Sequence, residues 1–185
     1  MLTLYHDLTS PASAVAILRL QTLADRGANV QFVGLDMLGL AIGIPATLDQ
    51  LEEFERVRDR ALALGLAMRR PTRRPPTLDA HLVGQFAEES ELGASWRSTC
   101  LHAYFADGAD LADRLTLLDL ARLAGLDADA VVDVLDDDIE RRALRGRMGT
   151  LRKRGVGGVP LLEAGPGAFV SAEIADDDLE RLAFL

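Results

Sequence analysis

The stretch Thr9-Ser10-Pro11-Ala12-Ser13 follows a short apolar run and opens a helix-like one. A helix start carries unsatisfied N–H groups and the positive end of the helix dipole, so it favours an anion. Ser10 has two readings there. It can cap its helix, worth about 1 kcal/mol. It can also donate a hydrogen bond to a bound anion, worth roughly 1.5–3 kcal/mol. The pattern does not support Ser10 as a nucleophile, because no His–acid partner accompanies it.

The other groups capable of chemistry are sparse. Cys100 is the lone cysteine, so no intramolecular disulfide and no CxxC is possible. Leu92 and Trp96 share its helical face, which predicts a buried, inert thiol. His6, His81 and His102 show no metal-ligand spacing, and no metal site is expected. Arg69, Arg70, Arg73 and Arg74 sit in a proline-rich loop that suits either an acidic ligand or solvent. The apolar segment Met37–Leu48 suits a pocket wall, a homodimer contact or core packing.

The elements that must position these residues follow from periodicity. Leu2–His6 reads as a buried strand, and Thr9 or Ser10 as the N-cap of a helix with Pro11 at its first position. That helix runs to Arg26 and stops at Gly27. Val30–Leu35 reads as a second strand, which makes a βαβ unit with parallel strands. Helices follow, with Asp49, Asp113 and Asp127 as caps and a charged helix running to about Arg154. After Gly155, Val159–Glu163 and Ala168–Ser171 read as a hairpin around Ala164-Gly165-Pro166-Gly167. Asp176 is placed to cap a last helix. The architecture is therefore α/β, with residues 1–48 and 155–185 forming one discontinuous domain and 49–154 an inserted helical subdomain.

Composition narrows the classes. The 185 residues are 49% hydrophobic, enough for a packed core, and the net charge of -9 argues against a nucleic-acid partner. Nineteen of the twenty basic residues are arginine, a bias of codons more than of mechanism. The start lacks a basic n-region and is interrupted by His6 and Asp7, so no signal peptide is expected. The most apolar segment is too short to span a bilayer. A soluble, cytoplasmic protein with no membrane partner is the expectation.

Five motifs in order carry a resemblance. Asp7-Leu8-Thr9-Ser10-Pro11-Ala12-Ser13 is similar to D-x-x-[CS]-P-[WY]-[CS]. Pro75 to Leu82 resembles P-x-N-T-x-x-A-H, Ala103 to Asp113 resembles A-Y-F-x-x-G-x-D-[IL]-x-D, and Ala124 to Asp127 reads A-G-L-D. Gly155-Val156-Gly157-Gly158-Val159-Pro160 is similar to G-V-x-G-V-P. Together they resemble the DsbA-like family, a thioredoxin fold with a helical insertion. Its members include disulfide oxidoreductases, kappa-class glutathione transferases and 2-hydroxychromene-2-carboxylate isomerases.

The resemblance implies a cis Val159–Pro160 bond, although composition alone would favour trans. It implies glutathione as cofactor, with Ser10 stabilising the thiolate, Val159 and Pro160 presenting backbone to the peptide, and Ser171 or Glu173 meeting the γ-glutamyl end. The substrate would be a small aromatic or electrophilic molecule. Redox members carry cysteines where this chain has Ser10 and Ser13. Ala12 replaces the usual Tyr or Trp, and Pro76 the usual Asn. These departures keep a second expectation in play, a catalytically inactive binding or interaction module. A thiol-disulfide oxidoreductase is disfavoured because no CxxC is present.

Overall fold

The computed structural model describes all 185 residues. Strand β1 (Leu2–His6) is buried along its whole length and forms the inside of a four-stranded sheet. Strand β2 (Val30–Gly34) pairs parallel to it, from Leu2 opposite Val30 to His6 opposite Gly34. Helix α1 (Pro11–Asp25) makes the crossover that parallel strands require. On the other side of β1 runs β5 (Leu161–Glu163), antiparallel, and beyond it β6 (Phe169–Ser171), giving the order β2-β1-β5-β6. Two strands therefore come from each end of the chain. The expected strand from Val159 starts only at Leu161, because Pro160 has no N–H to contribute to a ladder.

Between β2 and β5 lie α2 (Leu48–Ala63), α3 (Leu78–Glu89), α4 (Gly93–His102), α5 (Arg114–Ala124), α6 (Ala128–Asp136) and α7 (Asp138–Lys153). A two-residue antiparallel pair, β3 (Ile44–Pro45) with β4 (Arg73–Arg74), ties the apolar segment to the arginine loop. A π-helical turn at Ala103–Asp107 prolongs α4, and α8 (Asp176–Ala183) closes the chain. Asp113 and Asp127 cap α5 and α6 as expected, accepting the N–H groups of Thr116 and Asp129. Two expected caps are corrected. Thr47 caps α2 by accepting the Gln50 N–H, which leaves Asp49 in the first turn. Asp176 makes no cap bond to α8; it accepts from Arg19 at 2.8 Å and from Arg60.

The strand alternation of β1 sorts the core. Leu2 and Leu4 belong to the larger cluster, which holds α1, Trp96, Phe105 and Leu162. Tyr5 belongs to a smaller cluster with Leu35, Leu82, Leu144, Met148 and Val156. Helix α3 serves both, with Ala80 and Val83 in the first and Leu78 and Leu82 in the second. Ten of the fifteen residues of α1 are buried, so its N-terminus is fixed from all sides. No helix is long and apolar enough to cross a membrane. Leu4 is fully buried at the centre of the sheet. Leu4→Ala is expected to lower unfolding free energy by about 2–5 kcal/mol in urea denaturation; a loss below about 1 kcal/mol would contradict this core assignment.

Candidate functional site

Ser10 has the extended backbone of an N-cap, and its Oγ accepts the Ser13 N–H at 3.1 Å. The same hydroxyl donates to Glu53 Oε2 at 2.9 Å, and the Ala12 N–H donates to that oxygen at 3.2 Å. The anion expected at the helix start is thus present, and α2 supplies it. Burial raises the Glu53 carboxyl above its usual range, opposed by the Ala12 N–H, the Ser10 hydroxyl and the nearby Arg56. Glu53 escaped the sequence reading because it occupies a polar position between Leu51 and Phe54, where an amphipathic helix carries solvated acids.

Beneath Ser10 lies a buried carboxylate. Asp7 Oδ1 accepts from the Thr9 N–H, the Thr9 hydroxyl and the Thr77 hydroxyl at 3.0–3.1 Å, and Oδ2 accepts the Met37 N–H at 2.9 Å. Arg74 Nη2 lies 3.7 Å from Oδ2, and His81 Nε2 lies 4.0 Å from Oδ1. Thr77 and His81 stand four residues apart on one face of the start of α3. The second motif thus meets the Asp of the first, through a hydrogen bond from Thr77 and the nearby ring of His81. To one side, Gln50 Nε2 donates to the Thr9 carbonyl and to Tyr104 Oη, and Tyr104 donates to the Arg73 carbonyl. These bonds join the third motif and the arginine loop to the same site.

The Val159–Pro160 bond is cis. Val159 is half-buried, and its N–H and C=O make no hydrogen bond within the chain. Ser171 and Glu173 are exposed. Ser171 Oγ accepts the Glu173 N–H at 3.1 Å, and Glu173 pairs with Arg56. Ala12, Arg56 and Glu173 share a cavity of about 240 Å3 beside the helix start, while Ser10, Val159 and Ser171 do not line it. Ala12, where the motif has a large aromatic residue, is part of that wall. Cys100 is fully buried in the larger core, and burial pushes its thiol well above the ordinary value. No group of three ligand-type side chains could hold a metal.

The profile of the DSBA-like thioredoxin domain matches residues 1–180. The chain belongs to this family. The family and fold expected from the motifs are thereby borne out. A probable DsbA oxidoreductase from Streptomyces coelicolor matches at TM-score 0.80 and 21% identity, covering 98% of this chain and 88% of the other. A 2-hydroxychromene-2-carboxylate isomerase matches at 0.74 and 17%, over 98% and 91%. The cytosolic disulfide reductase DsbM from Pseudomonas aeruginosa, in a structure with GSH, matches at 0.65 and 19%, over 87% and 84%. At these identities the likeness is one of fold. No curated protein sequence matches the chain.

This DSBA-like domain also buries two imidazoles next to its site. His6 and His81 pack edge to face with ring centroids 5.6 Å apart. Both are nearly inaccessible, and His6 Nδ1 and His81 Nε2 lack hydrogen-bond partners. Burial lowers the pKa of both from the ordinary value of 6.5; His81 and Arg97 lower His6 further, and Asp7 and Asp36 partly oppose the shift at His81. The folded chain therefore binds fewer protons than the unfolded one as pH falls below 6.5. Stability is expected to be flat above that pH and to fall on acidification towards the depressed folded values. Denaturant melts across this range should show the slope in the wild type and a flatter profile in His6→Leu; equal slopes would overturn the assignment. Asp7→Asn turns an acceptor towards the Met37 N–H into a donor, and is expected to cost about 1.5–3 kcal/mol in the same melts.

Proposed function

We propose that this chain is a glutathione-dependent isomerase or transferase for a small aromatic or electrophilic substrate. In this reading Ser10 holds the glutathione thiolate and Glu53 takes its proton. The observation that carries the reading is the single point on which the Ser10 hydroxyl and the Ala12 N–H converge, filled by a carboxylate oxygen. Donors that hold one anion suit another. Two full negative charges side by side would repel, so the thiol must lose its proton to Glu53 as it enters. The S–H bond breaks, the carboxylate becomes a neutral acid, and the Ser10 and Ala12 donors pass to sulfur. The net charge at the helix start is unchanged. The raised proton affinity of Glu53 suits it to this exchange.

The rest of the peptide would lie along Val159, whose free N–H and C=O suit strand-like pairing with the cysteinyl residue of glutathione, in the loop shaped by Pro160. Arg56 and Glu173, beside Ala12, offer opposite charges to the carboxylate and amine of the γ-glutamyl end, and Ser171 adds a hydroxyl nearby. The cytosolic reductase solved with GSH supports glutathione as the ligand class and a cytoplasmic setting. With Ser10 and Ser13 in the motif and Cys100 buried, the chain has no thiol pair for disulfide exchange.

A second reading, a catalytically silent binding module, draws on the same residues. Glu53 already satisfies both donors, and Ser10 is only 7% exposed. Calorimetry with reduced glutathione, paired with ultraviolet detection of thiolate against pH, separates the two. The enzyme reading expects saturable binding with a depressed thiol pKa. Ser10→Ala should raise that pKa by about one to two units, the worth of one charge-assisted bond. Glu53→Gln should still bind glutathione yet shift the pH at which thiolate forms. No heat at millimolar glutathione would remove the enzyme reading and leave the binding module.

A further inference from the structure

A cavity of about 630 Å3 lies between the end of β2 and the helices α3 and α7. None of Ser10, Glu53, Val159 or Pro160 lines it. We propose that this cavity is a second small-molecule site, separate from the helix start, for an aromatic or aliphatic carboxylate.

Size and lining support a ligand. Small-molecule sites occupy roughly 300–1,000 Å3 and are mostly apolar with a few placed polar groups. Here Val33, Leu144, Met148 and Leu151 form the apolar wall. Leu144 and Met148 also anchor the smaller core, so that wall is rigid at its base, while the unbranched Met148 adapts to different shapes. Beneath them lies the buried His81, whose Nε2 is turned to within 4.0 Å of Asp7 Oδ1 without a hydrogen bond. The imidazole can sit there only because residue 34 is glycine: a Cβ would stand 2.1 Å from His81 Nδ1.

Charge selects the class. The chain has 29 acidic and 20 basic residues, and each of the other four principal cavities has a carboxylate in its lining: Asp110, Glu173 with Asp176, Glu88 and Asp79. The large cavity has none. Arg147 is its only charged side chain, since burial keeps His81 neutral. Arg147 Nη2 donates to Gln85 Oε1 at 2.9 Å, which fixes the guanidinium while leaving most of its five donors for a ligand. Its contact with Glu140, at 3.5 Å between two half-exposed side chains, is a weak competitor. An apolar body against Leu144 and Met148 with a carboxylate on Arg147 fits this distribution.

The mouth is also held open at a cost. Gly146 lines the cavity within α7, where glycine is about 1 kcal/mol less favourable than alanine. A Cβ at Gly146 meets nothing within 4 Å, so packing does not demand glycine there. A side chain at that position would crowd the entrance without disturbing the core.

The test is calorimetric titration of the full chain with 2-naphthoate and with neutral 2-naphthylmethanol. The wild type should bind both with one-to-one stoichiometry, naphthoate more tightly. Arg147→Met should weaken naphthoate roughly tenfold or more, the loss of one charge-assisted contact, and leave the alcohol within about twofold. Gly146→Trp should abolish both while its circular dichroism and melting temperature match or exceed the wild type. Three results would each overturn the proposal: no saturable binding of either probe at millimolar concentration, unchanged naphthoate affinity in Arg147→Met, or full affinity in a folded Gly146→Trp. Glutathione does not enter the titration, so its outcome is independent of the function proposed for Ser10.

Discussion

One buried carboxylate holds the working end of this molecule together. Asp7 is inaccessible to solvent, and a charge in that position is tolerated only when surrounded by donors. Those donors come from Thr9 before α1, Met37 after β2 and Thr77 at the start of α3, with Arg74 of the arginine loop close by. The backbone of the same residue accepts the Ser10 N–H and donates to Ser13 Oγ. Both serines of the motif are therefore placed by Asp7 before any ligand is considered. Losing this one group would loosen four segments at once.

On top of that anchor sits a helix start that is already electrostatically complete. Here the motif offers only hydroxyls, and the negative charge comes from Glu53 on another helix. Any other anion that takes up these two donors must displace the Glu53 carboxylate from them.

Local chemistry made much of this legible in the sequence. Ser10, Pro11 and Gly27 bound α1, Asp113 and Asp127 cap their helices, and Ala164 to Gly167 turns the hairpin, each through contacts within a few residues. The errors arose where a nearer or stronger partner won. Thr47 took the cap from Asp49, and Arg19 and Arg60 took Asp176 away from α8. Glu53 was invisible because a glutamate on a helix face looks the same whether it meets water or a second helix start. His81 stood in a recognisable motif without a role, because its neighbour Asp7 lies 74 positions earlier and no periodicity reports such proximity.

The strand order has a consequence for how the chain is made. Thr3 lies opposite Glu163, so one edge of β1 has no partner until nearly the whole polypeptide exists. At ribosomal rates of about 5–20 residues per second, that edge waits on the order of ten to thirty seconds. During this interval β1, α1 and β2 can assemble, but an apolar strand with a free hydrogen-bonding edge is an invitation to wrong partners. The helices between β2 and β5 are all made within that interval, so the sheet closes only after the segments that pack around it exist.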